Sequence, residues 1–101
     1  MTRDRRGEVA AIFTSHGVFD AGTTILAARA AGLDAEANPV VRELLAVGEL
    51  PTALVMLAAV AACCLAWPTA ADAVDAPEWF GLGVGAIGAA VAAVNLVVVF
   101  A

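Results

Sequence analysis

His16, Asp20, Thr23 and Thr24 stand close together in an otherwise apolar stretch. An imidazole and a carboxylate one helical turn apart can share a proton, or the carboxylate can orient the imidazole. That pairing points to a proton relay or to half of a metal site. The plainer reading is that the two groups bond each other and the nearby threonines and so fix helix packing. A metal site needs a third or fourth ligand, and Glu36 is the one candidate for it. The hydroxyls of Thr23 and Thr24 could donate to an anion or accept from a cation. Threonines in apolar helices more often bond their own backbone. An acid deep in a hydrophobic segment costs about 2.5–3.5 kcal/mol on insertion scales, so Asp20 should face protein or a water-filled cavity. Contact with Arg42 or a protonated His16 would make it a structural ion. With no cation close, it becomes the candidate for a proton-coupled role.

A second polar group follows at Glu36, Asn38, Pro39 and Arg42. Asn38 is a good N-cap, and Pro39 falls where proline is tolerated, at the first helical position. Two readings are open for this group. It is a capping turn with a surface ion pair, or Arg42 folds back to neutralise Asp20, since a paired buried acid is far cheaper than an unpaired one. Cys63 and Cys64 are adjacent and lack the spacing of a zinc or redox pair, so they read as small hydrophobes. No G-x-S-x-G, no H-E-x-x-H and no nucleophile–base pair at recognisable spacing occurs, so no catalytic residue is assigned. The residues call for no cofactor and no metal.

The elements that must hold these residues are membrane helices. Of 101 residues, 62% are hydrophobic and 15% charged. A soluble chain this short could not cover so much apolar surface. Net charge is −5 with no lysine, which fits a salt-adapted source such as a haloarchaeon and leaves no basic stripe for nucleic acid. Met1–Gly7 reads as a polar cytoplasmic tail. Residues 8–31 read as a first spanning helix; they rise about 36 Å against a hydrocarbon core of about 30 Å. Its polar face carries His16, Asp20, Thr23 and Thr24, and Arg29 can snorkel to the headgroups. Gly32 ends it. Residues 39–47 form a helix too short to span, lying in the interface or re-entrant. Residues 50–67 form a second span, stopped by Pro68, and an acidic loop follows to Pro77. Trp67, Trp79 and Phe80 mark one interface. Residues 79–100 form a third span. Its Gly81, Gly85, Ala89 and Ala93, widened by Gly88 and Ala92, make a small-residue ridge suited to close helix packing. Asn95 is its one strongly polar residue. Three arginines in the tail against Arg29 and Arg42 beside the first loop place the N-terminus inside by a thin margin.

The pattern D-x-x-T-T, then Gly32, then E-A-N-P-x-x-R resembles a family of small prokaryotic membrane proteins of unknown function. Asp20, Thr24, Gly32, Glu36, Asn38, Pro39 and Arg42 carry the match, across roughly the middle quarter to third of the chain. The resemblance implies a single multi-pass all-α domain and no particular activity. It also implies a basic residue early in the helix after the motif. This chain has none there, so any ion-pair partner of Asp20 comes from elsewhere. The expected protein is therefore a structural or accessory subunit. It assembles in the bilayer with itself or another membrane protein through the third helix. An ion or proton pathway using Asp20 and His16 is the alternative, and a membrane-embedded enzyme the remotest.

Overall fold

The computed structural model of the chain describes residues 3–101. Helix α1 spans Arg6–Ala31, α2 Pro39–Val47, α3 Glu49–Ala73 and α4 Glu78–Phe100, with a 3-10 turn at Leu33–Ala35. No strand occurs among the described residues. Helices α1, α3 and α4 hold 26, 25 and 23 residues and are long and apolar enough to cross a membrane. Their rises of about 39, 37 and 34 Å exceed a core of about 30 Å. The nine residues of α2 do not. The chain is an all-α membrane protein of three spans and one short helix.

Local chemistry sets most of the ends. Gly32 closes α1 at φ +88°, ψ 167°, a region open essentially to glycine alone. The Asn38 side chain accepts hydrogen bonds from the N–H groups of Val40 and Val41, at 2.9 and 3.3 Å, and so caps α2. Pro51 sits in the first turn of α3, where its missing N–H removes no helical bond.

Two boundaries differ from the sequence reading. Pro68 does not stop the second span; α3 runs through it to Ala73. Proline removes one backbone bond, and membrane helices tolerate the loss when neighbouring groups re-satisfy the backbone. The stop lies further on, at Asp75, which takes φ +50°. There Ala76 N–H reaches the Ala71 carbonyl at 2.9 Å and Asp75 N–H the Asp72 carbonyl at 3.1 Å, a Schellman-type cap. The acidic loop shrinks to residues 74–77. The N-terminal segment also departs from a free polar tail. Met1 and Thr2 lie outside the described residues. From Arg3 onward the segment docks on the connection between α3 and α4.

Helix α1 is the centre of the bundle. Both α3 and α4 pack along it, while α3 and α4 scarcely touch each other along their lengths. They meet at one end, where the Trp67 and Phe80 rings stack with centroids 6.1 Å apart. The α1–α4 contact is close because α4 presents glycine. A Cβ on Gly85 would lie 3.0 Å from the Ala11 methyl. The buried row of α4 is Gly81, Gly85, Gly88 and Ala92; Ala89 and Ala93 are exposed, so the ridge follows a different line from the expected four-residue repeat.

This topology places the N-terminal segment and residues 74–77 on one side of the membrane and residues 32–48 on the other. With Cys63 and Cys64 replaced by alanine, single cysteines at Asp34 and Asp75, both exposed, are expected to react with an impermeant reagent from opposite sides. Labelling of both from the same side would contradict three spans.

Candidate functional site

Polar groups follow the α1–α4 contact from one end of the bundle to the other. At the N-terminal end of α1, Arg5 and Glu8 form an ion pair with both side chains 1% exposed. Arg5 Nη1 donates to the two Glu8 oxygens at 3.0 and 3.2 Å. Its Nε donates to Asp72 at 2.7 Å and its Nη2 to the Ala76 carbonyl at 2.8 Å. Trp67 Nε1 donates to Glu8 at 3.2 Å. The guanidinium thereby ties the start of α1 to the end of α3 and the turn beyond it. The Asp72 hydrogen bond, with Glu8 behind it, holds the Arg5 guanidinium above its ordinary value. Nearby Asp4 is drawn down to about 2 by hydrogen bonds from the Arg6 side chain and backbone.

Further along, Phe13–Phe19 is wound as a π-helix inside α1. Such turns are rare and frequently accompany functional sites, because the wider i→i+5 winding disturbs the regular carbonyl ladder. Hydroxyls stand at both ends of it. Ser15 donates to the Ala11 carbonyl at 2.8 Å and Thr23 to the Phe19 carbonyl at 2.7 Å. His16 lies within this segment. Its Nε2 is 2.7 Å from the Val84 carbonyl of α4, a bond in which the ring N–H donates across the helix contact.

The central cluster begins where the π turn ends. Asp20 Oδ1 accepts from the Thr24 hydroxyl and from Asn95 Nδ2, both at 3.3 Å. The same Asn95 nitrogen reaches Thr23 Oγ1 at 3.0 Å and Thr24 Oγ1 at 3.2 Å. Asp20, Thr23, Thr24 and Asn95 are thus one hydrogen-bonded group spanning two helices. His16 is not bonded to Asp20. The partners of Asp20 are neutral, and among the described residues no ion pair to it forms.

Arg42 is engaged elsewhere. Its Nε and Nη2 both donate to the backbone carbonyl of Glu36, at 3.1 and 2.8 Å. The Glu36 carboxylate accepts from the Asn38 N–H at 3.0 Å. The loop group is therefore a capping turn, without the side-chain ion pair to Glu36 and without a bond from Arg42 to Asp20. Arg29 pairs with Glu49 at 2.7 Å on the exposed surface of the same end. A cavity of about 170 Å³ lies between residues 35–37, α1 and α4, with Glu36 and Asn95 both in its wall. Asn95 therefore touches both the Asp20 cluster and a space that opens beside the loop. Among the described residues no group of three or more His, Cys, Asp or Glu is placed to hold a metal ion. Cys63 and Cys64 are free thiols, the first exposed and the second buried.

Sequence reasoning missed the Arg5–Glu8–Asp72–Trp67 knot. The spacing of Arg5 and Glu8 on a helix start was a usable signal for that pair. Nothing in the sequence pointed to Asp72. Nor does F-T-S-H-G-V-F announce a π turn.

Three spans around a polar inter-helical seam define a small multi-pass membrane protein. Residues 11–101 match the family model described as Domain of unknown function (DUF5658), and the chain belongs to that family. No curated protein and no solved structure matches it. The family match takes in the π turn, the Asp20–Asn95 cluster and the capping turn, and it begins after Arg5 and Glu8.

Proposed function

We propose that this protein is a small membrane component in which Asp20 binds a proton or a small monovalent cation, with the Glu36 side as its access. The observation that carries this reading is the company Asp20 keeps. A carboxylate within a spanning helix has two neutral donors, Thr24 and Asn95, and no counter-ion in contact among the described residues. An intramembrane acid of this kind is costly, and it is a functional candidate by default. A proton or cation supplied from outside would offset that cost. The cavity that Glu36 and Asn95 line borders the Asp20 cluster through Asn95 and offers the way in. In this reading His16 fastens α4 through Val84.

The test is flux. Liposomes carrying the reconstituted protein and an internal pH dye are expected to dissipate an imposed pH or Na⁺ gradient faster than empty liposomes. Asp20→Asn, which can still accept from Thr24 and Asn95, is expected to abolish the difference while leaving the protein's elution profile intact. Wild-type liposomes no leakier than empty ones would remove the pathway reading.

A structural or accessory subunit is the second reading, favoured by the way Asn95 fastens α1 to α4 through three side chains. In that case Asp20→Asn loosens assembly itself. The glycine face is an unpromising surface for a partner, because the chain's own α1 already occupies it. With the arginine-bearing N-terminal segment, the side carrying residues 74–77 is assigned to the cytoplasm of the cell membrane.

A further inference from the structure

We propose that the cleft between the start of α1 and the end of α3 is a binding site for one anionic phospholipid. The cleft is an open groove of about 660 Å³ with two kinds of wall. Its rim carries Arg3, Arg5 and Arg6 with Asp4, while Asp75 pairs with Arg3 and Glu8 and Asp72 pair with Arg5. Its inner wall is apolar, formed by Val9 and Phe13 of α1 and by Leu65 and Pro68 of α3. A charged rim above an apolar trough between membrane helices matches a phosphate headgroup above an acyl chain. Basic pockets between spanning helices are known to hold anionic headgroups. The level in the bilayer agrees, since Trp67, Trp79 and Phe80 cluster at this end and such aromatics favour the headgroup region.

The three arginines divide the work. Arg5 is locked by Glu8, Asp72 and Ala76; the two carboxylates offset its charge, so it holds the segment in place and binds no anion. Arg6 is 92% exposed in its side chain and among the described residues pairs only with Asp4, itself 64% exposed. Arg3 and Asp75 are likewise open, at 48% and 88%. Exposed pairs of this kind contribute little, so a phosphate can displace or share them. Arg6 uses Nε and Nη2 on Asp4, and Arg3 uses Nη1 and Nη2 on Ala76 and Asp75. Each guanidinium has five N–H donors, which leaves donors on both for phosphate oxygens. The N-terminus of α1, which begins at Arg6, adds a favourable dipole for an anion.

The experiment uses the full chain in mild detergent with phosphatidylglycerol or phosphatidylcholine added at equal concentration, read by native mass spectrometry and by melting temperature. One phosphatidylglycerol is expected to stay bound and raise the melting temperature, with phosphatidylcholine doing neither. Arg3→Gln and Arg6→Gln are each expected to weaken retention about fivefold, and Arg42→Gln at the other end to leave it unchanged. Leu65→Trp tests the trough without touching the rim. Leu65 is 83% exposed, so the fold should accept the change, and the larger ring is expected to exclude the lipid. Equal retention of the two lipids, or unchanged retention in both Arg6→Gln and Leu65→Trp, overturns the proposal. Stabilisation by glycerol phosphate as strong as by the lipid overturns it in favour of a soluble anion.

Discussion

Arg5→Met is expected to destabilise the protein by about 3–5 kcal/mol, the usual penalty for removing one partner of a buried pair. The penalty falls on Glu8. That carboxylate is 1% exposed and would keep only the Trp67 indole N–H at 3.2 Å. Water cannot reach it there, and no other cation is in contact with it among the described residues. The Ala76 carbonyl loses a donor too, which loosens the turn between α3 and α4. Unfolding followed by tryptophan fluorescence in mild detergent would report the change directly, because Trp67 belongs to the same knot. Adding Glu8→Leu to Arg5→Met is expected to recover a large part of the loss, since replacing both ions by apolar groups is often near neutral. If Arg5→Met melts like the wild type, the pair has access to water and the knot is an ordinary surface contact.

The spans were legible for a simple physical reason. Bilayer thickness fixes how long an apolar run must be, and residues 8–31, 50–67 and 79–100 satisfy it with little else to interpret. Capping chemistry placed residues 39–47 equally well, because Asn38 and Pro39 act within one turn of themselves. Pro68 misled because proline stops helices more reliably in water than in lipid. The small-residue ridge was read along Gly81, Gly85, Ala89 and Ala93, a line with the wrong period, on which Ala89 and Ala93 are exposed. A strict four-residue step on a 3.6-residue helix drifts about 40° each time, so by Ala93 the row has turned about 120° from Gly81. The buried row alternates steps of four and three, through Gly81, Gly85, Gly88 and Ala92. One more step of three reaches Asn95. A seam-like reading of α4 would thus have put Asn95 on its packing face from sequence alone. Beyond the Arg5–Glu8 spacing the knot was not legible, because it depends on how distant segments dock, and no residue of F-T-S-H-G-V-F announces the π turn. Asp72 lies 67 residues from Arg5.

Gly88→Ala is expected to destabilise the protein by about 1–3 kcal/mol, the range for overpacking a filled contact. A Cβ at this position would lie 2.6 Å from Ser15 Oγ and 2.7 Å from His16 Cδ2. Neither group can simply swing aside. Ser15 is held to the Ala11 carbonyl, and the His16 ring is anchored to the Val84 carbonyl at 2.7 Å. The methyl must therefore break one of those bonds or push α4 away from α1, and the second course also strains the Asn95 contacts to Asp20, Thr23 and Thr24. Gly88→Leu should do more harm than Gly88→Ala. The matched control is Gly83→Ala in the same helix, where a Cβ meets nothing within 4 Å. There the change removes backbone freedom without a clash, and a gain of about 0.5–1 kcal/mol is expected. Opposite signs at two glycines five positions apart are what an α1–α4 contact through Gly88 requires. A Gly88→Ala protein as stable as Gly83→Ala would mean that the helices do not approach on this face.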